Sequence, residues 1–255
     1  PRVPFLAAAG LVLVNWLYGL LVLPESLPPE ERRPFSLREA NPLGGLARLR
    51  RYPMVFGLAV AMVFFSLAQR GLESVWVLYT NYRYGWRELE NGLTLALIGV
   101  MAALVQGLLI RRIVPRIGER RAVLLGIAIA TAGFFAYGLS HAPWILLTVI
   151  VLAALGGIAA PSIQSLVAGC VSPSEQGSVQ GSLTSLVSLT AIAAPVISTQ
   201  LFSTFTGEGA PLELPGAPFF AGALFLFVAL LLVARVFRRN PPTPSAEDEG
   251  DGVSR

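Results

Sequence analysis

Residues 92–140 read GLTLALIGVMAALVQGLLI, then RRIVPRIGERR, then AVLLGIAIATAGFFAYGLS. Two apolar runs, 92–110 and 122–140, flank a turn that holds Arg111, Arg112, Arg116, Arg120 and Arg121. A helix needs about 20 apolar residues to cross a hydrocarbon core, and each run is close to that length. Gly118 permits a tight reversal between them. The pair reads as two antiparallel membrane spans joined by a basic turn.

The same pattern continues on both sides. Further apolar segments run near 4–23, 54–80, 143–166, 178–204 and 217–237, which makes seven with the two above. The whole chain of 255 residues is 54% hydrophobic and only 13% charged. Its mean hydropathy is +0.66. A water-soluble domain carries about a quarter charged residues, so a soluble enzyme is the wrong class. The fold class expected is an all-α polytopic membrane protein with seven transmembrane helices. The first segment ends in Leu23-Pro24-Glu25-Ser26, not in a small-residue cleavage site, and reads as a span instead of a signal peptide.

Charge sets an expected orientation. Arg32, Arg33, Arg38, Arg48, Arg50 and Arg51 fall on one side of the seven spans. Arg111–Arg121 and Arg235, Arg238 and Arg239 fall on that same side. The opposite side holds Arg83, Arg87, His141, Glu208 and Glu213. Basic loops stay in the cytoplasm, so the carboxyl terminus is expected there, in a multi-pass protein of the inner (plasma) membrane. This accounts for the net charge of +4 without invoking nucleic acid. Segment 24–52 reads as a solvated linker and 240–255 as a disordered tail. The chain starts with Pro1 directly before a span, which reads as the carboxyl-terminal part of a longer protein.

Polar residues within spans mark pathways or pairs. Gln69, Glu73, Trp76 and Thr80 repeat at i, i+4, i+7 and i+11, on one helical face. Glu73 is a candidate proton site, with Arg70 three residues away as its partner. A purely structural ion pair at the interface is the alternative. Gln106 either binds substrate or hydrogen-bonds a neighbouring helix. Gln164 and Gln180 are further pathway candidates. Gly177, Gly181 and Ser185 recur every four residues, a pattern that lets helices approach closely. The arginines of the 111–121 turn either anchor it or take part in gating. One histidine (His141) and one cysteine (Cys170) cannot assemble the common metal or haem ligand sets, and no nucleophile–base constellation is present, so no catalytic residue, metal or cofactor is expected.

Several short motifs occur in a telling order. They include Leu23-Pro24-Glu25-Ser26-Leu27, Asn41-Pro42-Leu43, Trp76-Val77-Leu78-Tyr79, Tyr84-Gly85-Trp86, Gln106-Gly107 and Gly118-Glu119-Arg120-Arg121. Gly156-Gly157, Pro161, Gln164, Glu175-Gln176-Gly177, Gln180-Gly181 and Pro195 follow. In this order the chain resembles the major facilitator superfamily, and within it the tetracycline-resistance-like drug–proton antiporters. The resemblance covers about two thirds of the chain, from the linker to the sixth span. It implies that residues 1–23 are the last helix of an amino-terminal half, 24–52 a central cytoplasmic loop, and 53–239 a six-helix carboxyl-terminal half with nested repeats.

From their places in the spans, Gln69, Trp76, Gln106, Gln164 and Gln180 are expected to contact substrate, and Glu73 with Arg70 to carry the proton. The resemblance implies that Gly118, Arg116, Arg120 and Arg121 form the gating turn. The partners would be membrane lipid, a small amphipathic substrate, protons and the other half of the transporter. Three positions depart from the family pattern. Pro115 stands where an acidic gating residue is usual, Ala102 where tetracycline exporters tend to carry His, and Ala130 where they tend to carry Asp. The expected function is export of a drug-like compound in exchange for protons. The alternative is a non-transporting half-unit that pairs with a partner.

Overall fold

Gly118 adopts φ 81°, ψ 152°, a conformation open to a residue without Cβ, and reverses the chain between two long helices. The turn expected at that residue is therefore the turn observed. The computed structural model describes residues 2–23, 49–207, 209–210 and 212–241. Residues 1–36 and 37–255 form two separate compact units.

The first unit contains α1 (Val3–Leu21), a helix without a charged residue. The second contains α2 (Pro53–Tyr84), α3 (Glu88–Ile117), α4 (Glu119–Leu139), α5 (Pro143–Gly169), α6 (Pro173–Thr206) and α7 (Ala217–Arg239). These six are long and apolar enough to cross a membrane. Among the described residues, six helices meet that standard and Phe5–Leu21 of α1 is a shorter apolar helix, which makes seven helices in all.

The helices are longer than the apolar runs that announced them. The run 92–110 grows to Glu88–Ile117, because long arginine side chains at helix ends lift their charge out of an apolar layer while the backbone stays helical. Two helices are irregular in the middle. Val105–Leu109 of α3 forms a π-helical turn, and Leu155–Ile158 of α5 tightens to a 3-10 turn. The two turns pack against each other. A Cβ added to Gly157 would lie 3.7 Å from Val105 Cγ1.

Packing centres on α7, which lies between α2 and α4. On its other side α2 meets α6, and α4 meets α5. Between α4 and α5 the contact is backbone to backbone. A Cβ at Gly156 would sit 2.9 Å from the Gly126 carbonyl oxygen, and one at Gly126 would sit 2.8 Å from the Ala159 nitrogen. Gly57 nests against Val236, and Gly71 against Ser198. Lipid tails are as apolar as leucine, so such close van der Waals contact is what holds membrane helices together. The small-residue pattern on α6 does not serve this purpose within the described bundle: Gly177 and Gly181 face open space. The close approach of α6 to α2 is made by Gly71 and Ser198 instead.

Hydrogen bonds tie each end of the bundle. At the end holding Tyr84, the Tyr79 hydroxyl donates to the carbonyls of Tyr137 (3.1 Å) and Ser140 (2.9 Å). Tyr84 donates to Ser140 as well, at 3.0 Å. These carbonyls close α4, where helix-end acceptors lack the usual intrahelical donors; the Ser140 N–H caps Tyr137 at 3.2 Å and the two tyrosines supply further donors. Tyr79 also meets Phe219 edge-on at 4.7 Å.

At the opposite end the Tyr52 hydroxyl donates to Glu175 Oε2 at 2.6 Å. The carboxylate beside it holds the Tyr52 phenol above its usual range. Leu49 is fully buried and packs into the core, whereas Arg50 and Arg51 of the same segment are exposed. Residues 24–48 of that segment, and 242–255 of the expected disordered tail, lie outside the described residues. Asn240, expected in that tail, instead ends α7 and accepts a hydrogen bond from Arg120 through its carbonyl.

Candidate functional site

A cavity of about 170 Å³ opens among α2, α3, α4 and α5. Helix α2 contributes Gln69, Leu72 and Trp76, which follow one another at helical spacing on a single face. From α3 come Ile98, Ala102, Val105 and Gln106, the last two within the π-helical turn. Such a turn carries an extra residue and re-aims its side chains, and it commonly lies at functional sites. Ala130, Phe134 and Tyr137 of α4 form the third wall, and Ile150, Ala153 and Ala154 of α5 the fourth. Gly156 and Gly157 complete that wall within the 3-10 turn.

Trp76 is 3% exposed, and its indole N–H has no hydrogen-bond partner. It meets the Tyr137 ring edge-on at 5.8 Å, and Tyr137 in turn meets Phe134 at 6.0 Å. An aromatic shelf thus faces two amide side chains, Gln69 and Gln106. None of the described residues lining the cavity is charged.

The sequence-derived candidates divide. Gln69, Trp76 and Gln106 come together in this cavity. Gln164 is exposed on α5 and Gln180 is exposed on α6, both away from it. Gln180 lines a separate shallow groove with Gln176, whose amide donates to the Ala168 carbonyl at 3.3 Å. Arg70 and Glu73 pair as expected, Nη1 to Oε2 at 3.0 Å, with side chains 52% and 60% exposed. They stand beside the cavity face of α2, not on it. Thr80 leaves the expected polar stripe too: it is buried and donates to Asn91 Oδ1 at 2.7 Å, linking α2 to α3.

In the turn 111–121, Arg116 and Arg121 are exposed. Arg120 reaches α7, donating to the Asn240 carbonyl and placing its guanidinium 5.3 Å from the Phe237 ring centre. Glu119 accepts a hydrogen bond from Ser165 of α5. The turn is therefore joined to two other helices at the same end of the bundle. Phe134 and Tyr137 were not singled out from the sequence. Their spacing of three on an otherwise featureless apolar helix was the available signal.

Comparison with known proteins identifies the wider group. A model of the Major Facilitator Superfamily matches residues 1–139 and 107–254. The chain belongs to the Major Facilitator Superfamily. It is a multi-pass helical membrane protein of that family. The class C tetracycline resistance protein of Escherichia coli is 33% identical over 78% of this chain and 50% of its own length. The class G protein of Vibrio anguillarum is 31% identical over 92% of this chain and 58% of its own length. The crystal structure of the human organic anion transporter MFSD10 (TETRAN) superposes with a TM-score of 0.73 at 26% identity, covering 87% of this chain and 54% of that one. The chain thus spans about half the length of these relatives.

Proposed function

We propose that this chain is the carboxyl-terminal part of a secondary transporter that exports a small amphipathic, drug-like compound in exchange for protons. The single observation that carries the reading is the cavity where Gln69, Trp76 and Gln106 converge, in a chain whose relatives include tetracycline resistance proteins. Amides offer both donors and acceptors, and an aromatic shelf receives an apolar ring, so the site suits an amphipathic guest. Residues 53–239 are the membrane half that contributes this wall of the pathway. Residues 24–52 form the central cytoplasmic loop, and 1–23 the last helix of the other half. The basic turn 111–121 faces the cytoplasm together with the end of α7, so the carboxyl terminus lies inside, in the plasma membrane.

In this reading Glu73 is the proton carrier. It lies about two thirds of the way along α2, one helical turn from Gln69, and its exposed carboxylate is reachable by water. Arg70 is its ion-pair partner, and transfer of a proton to Glu73 releases that pair. The Arg120 and Glu119 contacts hold the cytoplasmic end and must break or slide when the site changes the side it faces. Binding the substrate does not require Glu73, but coupling does. Everted vesicles from cells expressing the gene test this with a panel of amphipathic antibiotics and a pH-sensitive dye. Glu73→Gln should abolish substrate-driven proton movement. Normal proton movement in that variant would overturn the assignment.

A further inference from the structure

Charge is unevenly matched at the end of the bundle that carries the 111–121 turn. Val114 and Ile117 pack inward against Val105, Ala122 and Ile158, which turns Arg111, Arg112 and Arg116 outward. All three are exposed, as are Arg121, Arg238 and Arg239. Among the described residues, none of these six has a carboxylate within ion-pair distance; the pair that forms, Arg70 with Glu73, lies elsewhere on α2. The described acids of this end are already engaged, Glu119 by Ser165 and Glu175 by Tyr52.

Arg120 joins the two groups of arginines. It donates to the Asn240 carbonyl, so the start of α4 and the end of α7 form one face, and the chain beyond Asn240 leaves from it. That chain continues Pro241-Pro242-Thr243-Pro244 and then brings Glu247, Asp248, Glu249 and Asp251 within five residues. Seven residue steps separate Asn240 from Glu247. A proline-rich segment spans about 3.1 Å per residue, so this stretch reaches about 20 Å. Arg111 lies seven helical residues before Gly118, about 10 Å of rise, so the whole face is within reach.

Tethering at Asn240 makes the encounter intramolecular, with an effective concentration of about a millimolar. Left unpaired beside a membrane, the four carboxylates would be repelled by anionic headgroups. We propose that the acidic run Glu247–Asp251 docks on this arginine face, with Arg116 and Arg121 among its charge partners. The face is thus an intramolecular binding surface for the chain's own tail, and it ties that tail to the basic turn. The proposal stands independently of what the chain transports.

The test uses the whole chain in phosphatidylcholine nanodiscs, with Cys170→Ala and a nitroxide label on Gly250→Cys. The label should show an immobilised component at about 0.15 M salt and lose it at about 1 M, where the screening length falls from about 8 Å to about 3 Å. Neutralising the run (Glu247→Gln, Asp248→Asn, Glu249→Gln and Asp251→Asn) should lose that component at low salt too, and it leaves the helical bundle untouched. Arg116→Gln with Arg121→Gln should lose most of it, although the tail keeps its acids. A second label on Pro115→Cys should give one narrow inter-label distance with the native tail and a broad distribution with the neutralised one.

Unchanged mobility of the neutralised tail would overturn the proposal. So would unchanged mobility in the arginine variant, because the tail would then be held elsewhere. Nanodiscs of equal parts phosphatidylcholine and phosphatidylglycerol separate the tail from lipid as the occupant. The immobilised component should persist there. Its loss would assign the arginine face to lipid headgroups and defeat the proposal.

Discussion

Gly156 and Gly157 are adjacent, yet they belong to two different regions. Gly156 is buried against the backbone of α4, where an added methyl would sit 2.9 Å from the Gly126 oxygen and 3.0 Å from the Ala130 nitrogen. Gly157 lies on the side of the π-helical turn of α3, where the same methyl would find ordinary contact at 3.7 Å. The first glycine lets helices touch and the second lets a helix bend beside an open space. The contrast extends to the regions around them. Around α2, α4 and α7, glycines are covered and the Tyr79 and Tyr84 hydroxyls are paired. Around α3 and α5, both helices are irregular where they border the cavity. One region is built to hold shape, and the other leaves room for a guest.

The sharpest way to break this comparison is to add one methyl at each glycine. Gly156→Ala forces backbone apart and should cost about 1–3 kcal/mol, seen as a lower Tm or loss of monodisperse protein in detergent. Gly157→Ala should change stability by less than about 0.5 kcal/mol, because it adds helix propensity and meets no close atom. Equal effects would erase the distinction between the two faces.

A smaller effect is expected from Tyr79→Phe. It removes the hydroxyl shared between the Tyr137 and Ser140 carbonyls, which keep the Ser140 N–H and the Tyr84 hydroxyl as partners, a loss of about 0.5–1.5 kcal/mol in thermal unfolding.

The smallest effect is confined to alkaline pH. Carboxylate acceptance by Glu175 raises the Tyr52 phenol, so the folded state keeps that proton longer than the unfolded chain. The contribution is fully present below the unfolded value of about 10 and fades as pH rises through the folded one. The Tm difference between the native protein and Tyr52→Phe should therefore be constant from pH 7 to 9 and shrink above about 10. A difference that grows in that range would contradict the sign.

Much of the fold was legible because membrane solvation is a blunt constraint. Apolar runs of span length and the arginine turn with Gly118 announced α3 and α4 almost directly. Helix ends were less legible: the run ending at Ile110 extends to Ile117, because arginine side chains conceal that the backbone continues. The site was half legible. Gln69, Trp76 and Gln106 stand out as polar or aromatic groups in hydrocarbon, and they converge. Helical phase alone misplaced Thr80 and Glu73 on that same face, because a shift of one residue step in a helix of 32 residues decides cavity or exterior. Phe134 and Tyr137 look like any buried aromatics until the partner helices are known. Ala102 and Ala130, marked in the sequence as departures from tetracycline exporters, both line the cavity. Their small apolar side chains are a reason for its neutral character.

The most direct measurement is the resistance of cells expressing the gene to a panel of amphipathic antibiotics, comparing the native protein with Trp76→Ala at equal membrane abundance. The cavity account expects resistance to fall to the level of cells without the gene. Unchanged resistance across the panel would contradict it.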